Sequence, residues 1–254
     1  MPELPDVVVY IERLAAKVVG QPLGRVRVTN PFVLRSVDPP IAALEGQRVV
    51  ALRRLGKRIV LCFEEELFLV IHLMIAGRLR WRPPGPRVPV KLTLAALEFP
   101  DGVLYFTEAG STRRASLHLV RGEAPLTAFD RGGLEVLDAD LAAFAERLAL
   151  ESHTLKRSLT DPRLFSGIGN AYSDEILHRA RLSPLMLSRR LTAAEVERLH
   201  AATRETLLEW TERLRAEVGD GFPEKVTAFR EGMAVHGRFG LPCPVCAAPV
   251  QRIR

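Results

Sequence analysis

The sequence predicts an α+β chain of more than one domain: a β-rich N-terminal region behind an opening helix, then a helical region, then a short cysteine-bearing hairpin. Three observations carry that prediction. Short β-branched apolar runs separated by turn residues fill the first half of the chain. Apolar residues then recur with a 3.6-residue period. A single Cys-x-x-Cys stands near the C-terminus. At 254 residues the chain is long enough for two ordinary cores.

The opening helix begins around Pro5, a favourable first-turn residue. Val7, Ile11, Leu14, Ala15 and Val18 fall on one face, and Gly20 ends it. That buried stripe fixes the helix, so Pro2 and Glu3 just outside it are expected to be held rather than frayed. Strand patterns follow at Arg25–Asn30, Gln47–Leu55, Arg58–Phe63, Leu67–Met74, Lys91–Phe99 and Val103–Thr107, with Pro100-Asp101-Gly102 as a hairpin turn. Such a series builds a sandwich or a barrel. Arg121–Leu137, with Gly122, Gly132 and Gly133, reads as a linker. Helical patterns cover Leu141–Leu150, Asn170–Arg179 and Thr192–Val218, the last opened by a Thr192/Glu195 capping box. The expected divisions are 1–130, 131–218 and 219–254, the last suited to a small metal-stapled hairpin.

Composition narrows the function. Apolar residues make up 47% and charged residues 26%, an ordinary soluble balance. No apolar run approaches the roughly 20 residues of a membrane span. The start MPELPD carries an acid and two prolines, unlike a signal peptide, so a cytoplasmic protein is expected. Net charge is +6, and only Lys17, Lys57, Lys91, Lys156 and Lys225 among the 36 basic residues are lysines. Guanidinium groups suit bidentate phosphate contacts, and a basic excess favours a polyanionic partner such as nucleic acid. A high-GC genome would raise arginine as well. Of three cysteines, Cys62 lies in an apolar strand and is expected in the core, and the odd count argues against a disulfide framework.

Several motifs could carry chemistry. Removal of Met1 would leave Pro2 as a free secondary amine, with an ordinary pKa of about 7.7–8.0 and hence partly unprotonated near neutrality. Attack by such an amine on a sugar C1′ yields an iminium ion directly, and the Glu3 carboxyl could move the protons. Gly167-Ile168-Gly169-Asn170 precedes a helix whose N-terminal N–H groups suit a phosphate, although an ordinary Gly-rich turn capped by Asn170 reads the same way. Lys156 and Arg163 upstream could join that phosphate. Lys57, in a basic hairpin, and Arg113-Arg114 are either phosphate clamps or solvated turns; an arginine could also fill the gap left by an extruded base. Cys243 and Cys246 are half of a structural zinc set, with His236 as the candidate third ligand.

In this order and spacing the motifs resemble the formamidopyrimidine-DNA glycosylase / endonuclease VIII family. The resemblance spans the chain: Met1-Pro2-Glu3-Leu4-Pro5, Gly56-Lys57-Arg58, His72-Leu73 through Gly77-Arg78-Leu79, Gly167-Ile168-Gly169-Asn170-Ala171-Tyr172, and Gly237-Arg238 to Cys243 and Cys246. It implies an N-terminal β-sandwich, a helix-two-turn-helix domain and a zinc-finger hairpin, with damaged double-stranded DNA running between the domains and one nucleotide flipped out. It implies a monomeric bifunctional glycosylase and lyase. Pro2 would be the nucleophile, Glu3 the general acid and base, and β- and δ-elimination would follow. Lys57, Lys156 and Asn170 match phosphate-gripping positions, Arg238 would set the finger on DNA, and one structural Zn2+ is the implied cofactor.

Departures from the family pattern bear on substrate. Asp6 stands where the family usually has Glu, a shorter reach into the lesion pocket. Ile75 takes the Met position of the void-filling triad, with Met74 displaced by one. Arg113 matches the Arg, Ala115 replaces the Phe, and the loop Glu108–Arg114 is longer. The segment Gly219–Arg230 lacks the Gly/Thr-rich stretch that caps 8-oxoguanine in the better-known branch. The second cysteine pair is absent; the family spacing puts it just beyond Arg254, so a truncated finger is expected. The altered wedge and missing cysteines also suit an alternative, a damaged- or abasic-DNA-binding homologue with little or no catalysis.

Overall fold

The computed structural model describes residues 1–85, 91–109 and 112–253. Its chain forms two compact units. The first comprises Met1–Asp130 with Arg213–Val226, and the second Arg131–Glu212 with Thr227–Arg254.

In the first unit, helix α1 (Leu4–Val18) buries Leu4, Val7, Tyr10, Leu14 and Val18 completely. Among the described residues, eight strands follow: β1 (Arg25–Val28), β2 (Val49–Leu55), β3 (Arg58–Phe63), β4 (Leu67–His72), β5 (Gly77–Arg82), β6 (Thr93–Phe99), β7 (Gly102–Glu108) and β8 (Ser116–Arg121). They form two antiparallel sheets, ordered β1-β6-β7-β5 and β2-β3-β4-β8. One core joins Ile59, Leu61, Leu69, Ile71 and Leu119 of the second sheet to Leu79, Leu97, Leu104 and Phe106 of the first and to the buried stripe of α1. This is a sandwich, not a barrel.

A second cluster covers the other face of β3 and β4: Val60, Cys62, Phe68 and Val70 pack with Leu126 of helix α2 (Glu123–Thr127). Burial on both faces explains why these two strands read as unbroken apolar runs. It also confirms Cys62 as an interior residue, whose thiol burial pushes upward.

The sequence left out β5, β8 and α2. Strand β5 alternates Arg78, Arg80 and Arg82 with Leu79 and Trp81, a period of two that the sequence reading passed over. Two of them tie down the chain after the last helix: Arg78 Nε donates to the Val226 carbonyl at 2.6 Å, and Arg82 pairs with Glu224. Phe222 lies 5.8 Å from the Tyr10 ring. These contacts draw residues 219–226 into the first unit, whereas the sequence grouped them with the hairpin.

The second unit holds α3 (Leu141–Ala149), α4 (Leu155–Thr160), α5 (Asn170–Ala180) and most of α6 (Ala193–Val218). The Thr192 capping box is present: Glu195 N–H donates to Thr192 Oγ1 at 3.3 Å, and Thr192 N–H to Glu195 Oε2 at 2.8 Å. Tyr172, Phe144 and Phe165 are fully buried, and Trp210 packs edge-on to Tyr172. Helix α4 has six residues, too few for a 3.6 period to show.

The sheet register gathers the connections at one end of the sandwich. Arg58 pairs with His72 and His72 with Ser116, while Gly77 pairs with Glu108. The hairpin Gly56-Lys57 and the links 72–77 and 108–116 therefore share an end. Gly77 closes the first link by donating to the Leu73 carbonyl at 2.8 Å, and a Cβ there would sit 2.2 Å from that oxygen. Gly77→Ala should cost about 1–3 kcal/mol of stability through this clash. An unchanged denaturation midpoint would show that the link is looser than drawn.

Candidate active site and nucleic-acid interface

Helix α1 is capped by the chain just ahead of it. Glu3 is its N-cap, and the Asp6 carboxylate accepts the Glu3 N–H at 2.9 Å. Glu3 and Asp6 are 2% and 4% exposed, and Pro2 is buried. Asp6, which the family pattern assigns to the lesion pocket, thus serves the backbone of the first turn.

The terminal amine shares this place with charged neighbours. Burial pushes the Met1 ammonium below its ordinary 8.0; Glu3 and Asp6 oppose that shift, and Arg78 and Lys57 add to it. Lys57, at the tip of the β2–β3 hairpin, is likewise pushed down by burial and pulled back by Glu3. The structure therefore brings Pro2, Glu3, Asp6 and Lys57 into one electrostatic neighbourhood and adds Arg78, which the sequence reading had not given a role. Arg78 NH1 also donates to the carbonyls of Ile75 and Gly77, at 3.1 and 2.6 Å.

The link 72–77 presents Ile75, which is 63% exposed. Met74 before it has φ +53°, a left-handed conformation that costs a non-glycine residue roughly 1–2 kcal/mol. In the second link Arg113 and Arg114 are exposed, and Arg113 donates to the Lys91 carbonyl at 2.9 Å. The expected lengthening of Glu108–Arg114 centres on Gly110 and Ser111, which lie outside the described residues. Buried Glu108 braces the base of this link, accepting the N–H groups of Arg114 and Ala115 at 3.0 and 3.2 Å. Ala115 is 3% exposed and part of the core. Exposed Ile75 and Arg113 thus have no aromatic partner at that position.

In the second unit, Gly169 is the N-cap of α5 and Asn170 its first residue, one position inside the cap read from the sequence. Asn170 is exposed, and Gly167 takes the left-handed turn before it. Lys156 Nζ donates to the Asn170 carbonyl at 2.6 Å and to Asp174 Oδ1 at 2.5 Å. Arg163 is instead engaged by Asp161 and Glu151, at 2.6 and 3.4 Å.

Arg238 is half-buried, with NH2 3.2 Å from the Pro242 carbonyl. Residues 240–250 form a hairpin: Gly240 N–H donates to Val250 O at 3.0 Å, and Cys243 N–H to Ala248 O at 2.8 Å. The Cys243 thiol is lowered to about 6 by N–H groups of Val245 and Cys246 and by His178, whose Nε2 lies 3.2 Å from Sγ. Cys246 is exposed. His236, the candidate third ligand, directs Nδ1 at Asp174 Oδ2, 2.8 Å away. Among the described residues no three His, Cys, Asp or Glu side chains are grouped to hold a metal, so the four-ligand set is not completed.

Sequence reasoning missed Glu108, Arg78, Asp174 and His178. Only the last two carried a readable signal: with Asn170 they recur every four residues along α5.

His72, at the end of β4, is lowered to about 4 by burial, with Arg58, Lys57 and His118 adding to the effect. An unfolded histidine protonates near 6.5 and this one does not until about pH 4, so its contribution is present above pH 6.5 and lost as pH falls toward 4. The loss is at most about 3 kcal/mol. Relative to His72→Gln, the wild type should lose melting temperature across that window; parallel curves would refute it.

Two family models match the chain: the formamidopyrimidine-DNA glycosylase N-terminal domain over residues 1–114 and its H2TH domain over 133–217. A curated formamidopyrimidine-DNA glycosylase of Thermus thermophilus is 37% identical, covering 99% of this chain and 93% of the relative. One of Moorella thermoacetica is 32% identical over 100% and 95%. The crystal structure of the Thermus protein superposes with a TM-score of 0.81 at 37% identity, over the same shares of the two chains.

Proposed function

This chain belongs to the formamidopyrimidine-DNA glycosylase family, and we propose that it opens its reaction with the Pro2 nitrogen, freed by removal of Met1. It is a DNA glycosylase of base-excision repair with lyase activity. What supports the nucleophile is the chain start itself: Pro2 is buried beside Glu3, and at the amine one residue upstream, that of Met1, burial, Arg78 and Lys57 disfavour the ammonium form while Glu3 and Asp6 favour it.

The Pro2 lone pair attacks C1′ of a flipped nucleotide, the glycosidic bond breaks with its electrons leaving on the base, and the proton released from the proline nitrogen neutralises the departing base. Glu3 delivers a proton to the ring oxygen as the sugar opens, giving the iminium ion. Loss of a C2′ proton then expels the 3′ phosphate, and a second elimination expels the 5′ phosphate. Lys57, Lys156, Asn170 and Arg238 grip flanking phosphates; Ile75, Arg113 and Arg114 lie where the gap and the opposite strand are to be met, with Asp6 beside the lesion. A bound zinc would brace the hairpin that carries Cys243 and Cys246. Duplex binding is supported by the net charge of +6.

Borohydride should trap a covalent adduct between the processed protein and an abasic-site duplex. Pro2→Gly should cut its yield at least about tenfold, and Glu3→Gln should slow base release about a hundredfold. Processed wild type that forms no adduct on abasic DNA would sink the reading.

Because only the free amine attacks, kcat/KM should rise with pH to a plateau as the Pro2 amine loses its proton. Arg78→Gln removes a neighbouring cation, so the ammonium is favoured and the rising limb should move to higher pH. A limb that stays put, or moves down, would show that Arg78 does not tune the nucleophile.

A further inference from the structure

One polar stripe of α5 does more than present Asn170. Asn170, Asp174 and His178 stand four residues apart, and between them they meet three other segments of the second unit. The Asn170 carbonyl and Asp174 Oδ1 both accept from Lys156 Nζ. Asp174 Oδ2 takes His236 Nδ1 at 2.8 Å. His178 Nε2 reaches Cys243 Sγ at 3.2 Å. Beside the stripe, buried Glu175 accepts the consecutive N–H groups of Ala234, Val235 and His236 at 2.7, 3.0 and 2.8 Å. The Phe229 ring stacks on His236 with centroids 5.5 Å apart and planes at 21°, and Gly237 gives that ring room, since a Cβ there would lie 2.7 Å from it.

We propose that Asp174 and His236 are positioning residues that set Arg238 for DNA: they lock residues 234–238 onto the helix that carries the phosphate turn, and this lock does not use a metal. His236 is two residues from Arg238, whose N–H donates to the Val235 carbonyl at 3.1 Å, so fixing 235 and 236 fixes where the Arg238 side chain departs. The same Asp174 holds Lys156. One carboxylate therefore registers two cations to each other, and rigid registration of charges is what a fixed spacing of phosphates rewards. The two thiols supply half of a zinc set, whereas the carboxylate contacts around 234–236 are complete without one. The inference rests on the DNA-binding reading above and deepens it.

The test measures affinity for a duplex carrying a tetrahydrofuran abasic analogue, across a salt series, with circular dichroism as a check on folding. His236→Phe keeps the stack on Phe229 and loses the bond to Asp174. It should weaken binding about tenfold and flatten the log K against log salt slope by roughly one phosphate contact. The loss should appear in half-saturation of adduct trapping rather than in its maximal rate. Adding Arg238→Ala to His236→Phe should cost little more. His236→Asn, which restores a donor near the Nδ1 position, should bring affinity back to within about threefold. Prior treatment of wild type with a zinc chelator should cost less affinity than His236→Phe does. Wild-type affinity for folded His236→Phe would overturn the proposal, as would additive losses in the double variant or a chelator effect as large as that of Arg238→Ala. Failure of wild type to bind or cleave would instead strike the function itself.

Discussion

The buried first turn of α1 is the constraint on which the remainder hangs. A chain start is ordinarily the least ordered part of a protein. Here Leu4, Val7, Tyr10 and Leu14 are sealed in the sandwich core, and the Asp6 carboxylate closes on the Glu3 N–H. Pro2 and Glu3 thereby inherit the rigidity of a hydrophobic core without being apolar themselves. The energy that orders the site comes from burial of side chains that take no part in chemistry.

Charge is then arranged around that fixed point. Two carboxylates and two cations face the terminal amine, and their effects oppose one another. Burial decides the balance, since it penalises the charged amine whatever its neighbours do. The arrangement holds a carboxyl group and a cation beside a chain start whose ammonium form burial disfavours.

Legibility in the sequence followed periodicity. Helix α1, strands β2, β3 and β4 and the Thr192 capping box could be read because each repeats at its own period or carries a local signature. Strand β5 carried the same signal and was passed over; what its alternation could not show is that Arg78 and Arg82 serve the chain after α6 rather than solvent. The hairpin boundary moved for the same reason. Pro2, Glu3, Lys57, Lys156 and Asn170 were singled out through motif order, whereas Glu108 and Arg78 were not, because a brace made to a backbone N–H or carbonyl leaves no trace in spacing. Asp174 and His178 lay within reach of a helical-repeat argument that stopped at Asn170.

The sealed opening turn also limits how the molecule can be handled. Any fusion partner or affinity label attached upstream of Met1 would have to leave through a half-buried residue set against Glu3, Arg78 and Lys57. It would also keep the proline nitrogen locked in an amide. Residues 251–253, by contrast, are exposed.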